Sequence, residues 1–544
     1  MNQDDVESTR EDTVVVCAVV KDDEAYIDEW VDYHHALGFA HFHVYDSSDK
    51  FEMKQWGEEK GDHVTVVHFP GDEREDMAYA DCARRYASGT NHSWAAFFNV
   101  ADFLVLTEWN NVIEFLFEFC NSGAIGIKLR LFGSAGRRVY SPQPVTKRFL
   151  YRSEYTHERA RFVVHLRDFE RKNQATNSGV FLSDLNRLAA NQPSTDNAVF
   201  HRYLRSIKEQ NLKMGQVFRK SSNKEKIRNQ HNHLGNISVF DDTAWKALQR
   251  LVPKYQKFER YLELAGLAPR FPTIHNETAA VCLIAMDEEA YVDEWVDYHH
   301  ALGFSNFYVY DNSPDFELKQ WASEKGNHVT AKHYPGKYKQ MSAYFDCITE
   351  FAVKNNHTWV GFFDFDEFLL LKDHNNIVDL LSERCQNGSL SFNWIRFGHG
   401  DREVYQPIPL TKRFLFRENF THTEVKTIAK VVDLDLKRKP LNPHAVRLKN
   451  GQRHDVNGMI LHKPFYQNRR LPTGTAVVLH YNTKSYKEFI FKRLRGRADS
   501  KGDDFDERVI QAMNRSFPEK YPLFSNEGWE ATKKFLPLYE QIFD

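Results

Sequence analysis

The stretch Phe362-Phe363-Asp364-Phe365-Asp366-Glu367-Phe368 sets two carboxylates one residue apart inside an apolar run, with a third directly after them. On an extended backbone, alternation predicts Asp364 and Asp366 on one side and the phenylalanines in a core. Like charges beside buried aromatics repel each other and lose hydration, so they call for a cation or strong donors nearby. Oxygen ligands of this kind suit Mg²⁺ or Mn²⁺, which keep positions open for waters and phosphate oxygens. A bare Asp-x-Asp reads equally well as an edge strand with solvated acids. What argues for chemistry is that the chain contains the stretch twice and one copy has lost the acids.

Such a stretch has to be held by a larger scaffold, and that scaffold is also repeated. Asp28-Glu29-Trp30-Val31-Asp32-Tyr33-His34-His35-Ala36-Leu37-Gly38-Phe39 recurs unchanged as Asp293 to Phe304, 265 residues on. The same offset carries Asp46 to Asp311, Trp94 to Trp359, Phe132-Gly133 to Phe397-Gly398 and Thr146 to Thr411. It then changes, with His201-Arg202-Tyr203 aligned on His480-Tyr481-Asn482 at 279 and Trp245 on Trp529 at 284. Units of roughly 250 residues are whole domains rather than solenoid repeats. The predicted division is a first domain over 1–265, a linker over 266–276 whose prolines end the preceding helix, and a second domain over 277–544. The two copies are expected to pack on each other.

Within a copy, Val14 to Val20 is a continuous β-branched run, as in a buried parallel strand. Glu24 to Leu37 is predicted as a helix with Tyr26, Trp30, His34 and Leu37 on one face, stopped at Gly38. His41 to Tyr45 is a second strand ending at Asp46. Strand, helix and strand make a Rossmann-like βαβ unit, so the fold class is α/β, two tandem domains each with a mixed central sheet. Ligands of such sheets gather at the carboxyl ends of strands, where Asp46 and Asp311 stand. No Gly-rich loop follows either first strand, which argues against a dinucleotide or P-loop site.

A chain of 544 residues is too long for one core. A net charge of −3 leaves no basic footprint, so nucleic acid is not an expected partner. The 14% aromatic share fits large cores and equally fits stacking on sugars. No apolar run reaches the ~18 residues of a membrane span, and the first residues lack a signal-peptide shape. The expected location is therefore cytoplasmic, or the secretory lumen if an N-terminal anchor has been removed. The six cysteines pair by position as Cys17 with Cys282, Cys82 with Cys347 and Cys120 with Cys385. Three per copy is odd, which reads as buried free thiols rather than a disulfide framework.

Glu294-Trp295-Val296-Asp297-Tyr298-His299 before Gly303, Tyr310-Asp311-Asn312-Ser313, and Trp359 leading to the acidic stretch together resemble glycosyltransferases of the GT-A fold. The resemblance is closest to family 92 and its family-2-like relatives, and it continues in Arg396-Phe397-Gly398, Lys426-Thr427-Ile428 and His480 to Ser485. It implies two GT-A-like domains and a nucleotide-sugar donor, a UDP-sugar, with Mn²⁺ or Mg²⁺ on the diphosphate. By position, Asp366 and Asp364 would ligate the metal, with His480 as a third ligand or a structural histidine. Asp311 and Asp364 would face the nucleoside, while Lys426 and Lys484 would neutralise phosphate. Family members open with a Lys-Asn-Glu-like segment after the first strand; the first copy has Lys21-Asp22-Asp23-Glu24, the second Met286-Asp287-Glu288-Glu289. The implied reaction is hexosyl transfer to a glycan acceptor with inversion, galactose being one candidate sugar. Inversion needs a carboxylate to deprotonate the acceptor hydroxyl. The candidates are Asp401, or else Glu403, in Phe397-Gly398-His399-Gly400-Asp401-Arg402-Glu403, where glycines allow close approach.

The first copy serves as an internal control. Asp364, Asp366 and Glu367 correspond to Asn99, Ala101 and Asp102, and His399, Asp401 and Glu403 to Ser134, Gly136 and Arg138. Trp30, Gly38, Trp94, Phe132 and Gly133 persist. Drift that spares the scaffold and removes these acids predicts a first domain that keeps the fold without metal-dependent transfer. The alternative is a non-catalytic tandem protein that only binds sugar or nucleotide.

Overall fold

The computed structural model describes residues 12–71, 74–87, 92–120, 123–134, 143–167, 193–204, 237–256, 276–400, 402–463, 465–495 and 520–543. Asp401 and the predicted linker, except Asn276, lie outside them. The chain forms two compact units, the first ending at Gln256 and the second following it.

The strands of the first unit are β1 (Val14–Val20), β2 (Phe39–Asp46), β3 (Val64–His68), β4 (Trp94–Phe97), β5 (Asp102–Leu106), β6 (Ala124–Phe132), β7 (Tyr151–His165), β8 (Ala198–Tyr203) and β9 (Ile237–Phe240). They make one sheet in the order β3-β2-β1-β4-β7-β6-β8-β5, with β9 beside β7. Strands β1 to β4 run parallel, while β7 is antiparallel to β4 and β6, and β5 to β8. The second unit has β10 (Ala279–Ala285), β11 (Asn306–Asp311), β12 (Val329–His333), β13 (Trp359–Phe362), β14 (Glu367–Leu371), β15 (Gly388–Arg396), β16 (Phe416–Arg417), β17 (His422–Lys430), β18 (Gln452–Asp455), β19 (Ala476–His480) and β20 (Leu523–Phe524). Its sheet repeats the plan as β12-β11-β10-β13-β17-β15-β19-β14, with β18 beside β15 and a separate pair β16-β20. These are two α/β units with mixed central sheets, as expected.

The βαβ opening forms as the sequence pattern predicts, with shifted ends. The helix covers Ile27–Ala36 rather than Glu24 to Leu37, because Asp23 turns the chain first, its carbonyl accepting from the amides of Tyr26 and Ile27. The second strand is longer than His41 to Tyr45. The repeated helix does more than cover the sheet. In the second unit, over Val292–Ala301, Trp295 Nε1 donates to Glu367 O at 2.7 Å and Tyr298 Oη to Leu369 O at 3.0 Å, while His299 Nε2 accepts from Leu369 N at 3.2 Å. Trp30, Tyr33 and His34 make the same three bonds to Asp102 and Leu104 in the first unit. Glu294, buried, accepts from the amides of Leu410 and Thr411 and thereby caps a short helix at Leu410–Arg413. The identical twelve-residue segments are thus clamps that fix the strand following the acidic stretch.

The expectation of free thiols is overturned for four of the six cysteines. Cys17 is joined to Cys82 and Cys282 to Cys347, each across 65 residues, tying the first strand of a unit to the helix before its fourth. Cys120 and Cys385 are the two left over. An odd count per copy is satisfied by one bridge and one thiol.

Candidate active site

The parallel strands fan out from β10, with β11 on one side and β13 on the other. The crevice at the carboxyl ends of such a pair is where α/β sheets bind ligands. The acidic residues stand there, but on a turn and not on an extended strand. β13 ends at Phe362 and β14 begins at Glu367. These strands are not neighbours in the sheet, so the chain must cross between them, and alternation breaks. The turn is closed by Glu367 N donating to Asp364 O and Asp364 N donating to Glu367 Oε2, each at 3.0 Å. Phe363 and Phe365 are nonetheless buried, Phe365 against Trp295 with ring centroids 5.3 Å apart.

The three acids are met by cations of the protein itself. Lys426, on β17 and without exposed surface, lies 2.9 Å from Asp364 Oδ2 and 3.0 Å from Glu367 Oε2. Burial works against its charge, yet the two acids hold its ammonium well above the usual lysine range. Glu367, fully buried, is pushed up to about 8 by desolvation, with Lys426 opposing. Asp366 pairs with Lys492, and His480 Nε2 lies 3.6 Å from its Oδ1. Burial would raise Asp366, but Lys492, His480 and Lys484 keep its carboxyl well below the ordinary range. Burial lowers His480, with Asp366 opposing.

The remaining sequence candidates divide. Asp311 sits at the end of β11 as predicted, but its oxygens shape the following loop. Oδ1 accepts from the amide and hydroxyl of Ser313, and Oδ2 from Leu318 N at 2.8 Å. Asp46 makes the same bonds to Ser48 and Met53. Lys426 and Lys484, expected on phosphate, instead hold acids of the protein, Lys484 pairing with Glu288 over the ring of Tyr291. Glu403 is half-buried after the glycine loop, its carbonyl accepting from Lys487 N at 2.9 Å, and Asp401 is outside the described residues. Sequence reading missed Lys492 and Glu288. Lys492 lies on the helix Tyr486–Arg495, 126 residues from its partner, so no local spacing announces it. Glu288 lay in view, in the segment that departs from the family's opening pattern.

The first unit corrects the predicted alignment of His480 with His201. β14 pairs Glu367 with His480, and β5 pairs Asp102 with Arg202. Tyr481 N donates to Asp366 O as Tyr203 N donates to Ala101 O. The true counterpart of His480 is therefore Arg202, 278 residues earlier rather than 279. The coincidence of two histidines masked a one-residue slip, which in a strand moves a side chain to the other face. Lys426 is matched by Arg161. Arg202 donates twice to Asp102, at 2.6 and 2.8 Å, and once to Asn99 at 3.0 Å, while Arg161 donates to Asp102 at 2.7 Å.

An α/β crevice lined by acids, lysines and a histidine is thus present in one copy and rewritten in the other. Residues 12–232 and 277–521 match the profile of glycosyltransferase family 92. The chain belongs to that family. A family 92 protein of Ricinus communis is 24% identical over 221 residues, 39% of this chain and 36% of that one. One of Arabidopsis thaliana is 31% identical over 100 residues, 18% and 17% of the two chains. The aligned stretches thus cover well under two thirds of these relatives. Among solved structures, residues 1–349 of S. aureus TarS share 13% identity, covering 46% of this chain and 84% of that one with a TM-score of 0.25. A complex of the same protein with UDP gives 11%, 47%, 85% and 0.23. No described helix is long and apolar enough to cross a membrane.

Proposed function

We propose that the second unit transfers a hexose from a UDP-sugar to a glycan acceptor with inversion, and that the first unit is a duplicate without that activity. The observation that carries this reading is the charged cluster of Asp364, Asp366, Glu367, Lys426 and His480, rebuilt in the first unit as Asn99, Ala101, Asp102, Arg161 and Arg202.

The donor set suits a hard divalent cation: Asp366 and His480 are side by side, and the buried Oε1 of Glu367 and Nδ1 of His480 have no hydrogen-bond partner. Asp366, His480 and Asp364 would hold Mn²⁺ or Mg²⁺, which balances charge gathering on a leaving diphosphate. Lys426 fixes Asp364 and Glu367, and Lys492 stands ready to trade Asp366 for a phosphate. In the transfer, the bond from the anomeric carbon to the diphosphate oxygen breaks and its electron pair leaves with the diphosphate. The acceptor oxygen attacks from the opposite face, and its proton goes to a carboxylate of the glycine loop, Asp401 or Glu403. The two disulfides support folding in an oxidising compartment such as the secretory lumen.

A second reading, tandem binding without transfer, has one observation in its favour. Lys492 occupies Asp366, and among the described residues no three His, Cys, Asp or Glu side chains converge as a metal cluster. Turnover separates the two. With UDP ~100-fold above its dissociation constant, Mn²⁺-dependent stabilisation of about 2.7 kcal/mol is expected, and it should vanish in Asp366→Ala. Asp401→Asn or Glu403→Gln should lower turnover by about 10²- to 10⁴-fold with UDP affinity kept. Near-parental turnover in both removes the loop from the mechanism, and a chain that binds UDP but never transfers establishes the second reading.

A further inference from the structure

We propose that the first unit binds a diphosphate directly, without a metal, through Arg161 and Arg202.

Two independent observations lead there. The first is a shift of charge at matched positions. In the second unit the crevice holds Asp364, Asp366 and Glu367 against Lys426 and Lys492, with His480 beside Asp366. In the first unit the described residues at the same place are Asp102 and the more exposed Glu75 against the guanidinium groups of Arg161 and Arg202, so that two acids have been lost and His480 has given way to an arginine. The guanidinium groups are not used up by Asp102. Arg202 commits Nε and Nη2, leaving Nη1, and Arg161 commits only Nε, its Nη1 lying 3.9 Å from Glu75. Their side chains keep 11% and 21% exposure, so neither arginine is sealed in the core. Planar donors of this type bind phosphate oxygens in pairs.

The second observation is that the far end of the crevice has been kept at a cost. Asp22, just past β1, and Phe51, in the loop after β2, have φ of 59° and 43°, and their counterparts Asp287 and Phe316 have 60° and 53°. Backbone of this kind in residues with a side chain costs of order 1–3 kcal/mol each, and persists where the surroundings demand it. Phe51 is stacked on His68 at 5.0 Å, as Phe316 is on His333 at 5.2 Å. A unit retained only to bury surface has no need to keep two strained residues at the mouth of its crevice. The first unit has preserved the rim and replaced a cation-seeking floor with an anion-seeking one.

The test uses the full chain in excess EDTA, titrated calorimetrically with UDP and with inorganic pyrophosphate. Metal-free binding of either is expected, and pyrophosphate binding would mean that the diphosphate alone suffices. Arg202→Gln and Arg161→Gln should each weaken it by about 10- to 100-fold. Because both arginines also hold Asp102, Asn99→Asp is the variant that removes no contact: it sets a carboxylate beside Arg202 and should abolish binding with the melting temperature kept. Asp364→Asn with Asp366→Asn, in the second unit, should leave metal-free binding unchanged, which separates this site from the proposed catalytic one. Absence of metal-free binding, or binding lost in the second-unit variant and indifferent to Asn99→Asp, overturns the proposal.

Discussion

Removing the bridge between Cys282 and Cys347 should destabilise the second unit by an amount its geometry fixes in advance. The bridge closes 65 residues, for which the loop-closure relation gives about −14 cal/mol/K, or about 4 kcal/mol at 25 °C. Both sulfurs are fully buried among Ala280, Tyr310, Ala343 and Tyr344, so replacing both cysteines by alanine adds a cavity cost of about 1 kcal/mol. Cys282→Ala with Cys347→Ala should therefore lose about 5 kcal/mol, much of the stability of an ordinary domain. Urea unfolding followed by fluorescence, with and without reductant, measures it: reductant should weaken the second unit of the parent and leave that of the variant unchanged, while the first unit, closed by Cys17 and Cys82, weakens in both. Thiol counting supplies the refuting result. Denatured but unreduced protein should react at two thiols, Cys120 and Cys385. Six reactive thiols, or a variant within 1 kcal/mol of the parent, would sink the argument.

Other outcomes follow from single contacts. Lys426→Met leaves Asp364 and Glu367 without their buried counter-ion and should cost about 3–5 kcal/mol in urea unfolding, together with activity. His299 is held down to about 3 by burial in its aromatic cage, with its bond to the Trp295 carbonyl opposing. Its folded value lies below the unfolded one, so the stability it contributes is complete above about pH 6.5 and is lost as pH falls toward 3, by roughly 4–5 kcal/mol in all. The slope of stability against pH in that window should flatten in His299→Gln, and an unchanged slope would refute the assignment. Gly388 and Gly326 have similar positive φ of 86° and 81°, but a Cβ on Gly388 would meet Gln452 O at 1.9 Å whereas one on Gly326 meets nothing. Gly326→Ala should cost about 1 kcal/mol and Gly388→Ala several times that by thermal melting.

Legibility in the sequence followed the range of the interactions involved. The βαβ opening is local, set by the run Val14 to Val20 and the helical stripe through Trp30 and His34, and it formed where predicted. The duplication fixed the correspondence of the acids because the offset holds without a gap through Glu367. Beyond the first insertion that help was lost, and a histidine in each copy suggested a register one residue out, which only the pairing of Asp102 with Arg202 corrects. The turn at Asp364 and Asp366 was hidden because alternating Phe and Asp mimic a strand. That β13 and β14 are far apart in the sheet is a fact of topology, not of pattern. Lys492 and the disulfides were out of reach for a related reason, since their partners lie 126 and 65 residues away.

The twelve unchanged residues carry a further consequence. Trp30 and Trp295, Tyr33 and Tyr298, and His34 and His299 hold the backbone of the strand that starts at Asp102 or Glu367, and they pack on the phenylalanines around it. Identity between the copies therefore marks the clamp, and the chemistry lies where the copies differ. A clamp of backbone hydrogen bonds and phenylalanine contacts is indifferent to the acidic side chains it positions. That indifference lets one copy carry Asp-x-Asp-Glu and the other Asn-x-Ala-Asp on the same frame. Trp295→Phe should then displace Glu367 and the acids before it, lowering transfer more than stability, and the matching Trp30→Phe should leave transfer untouched while weakening metal-free diphosphate binding. Equal loss of transfer in both variants would mean that the frame is not a local clamp at all.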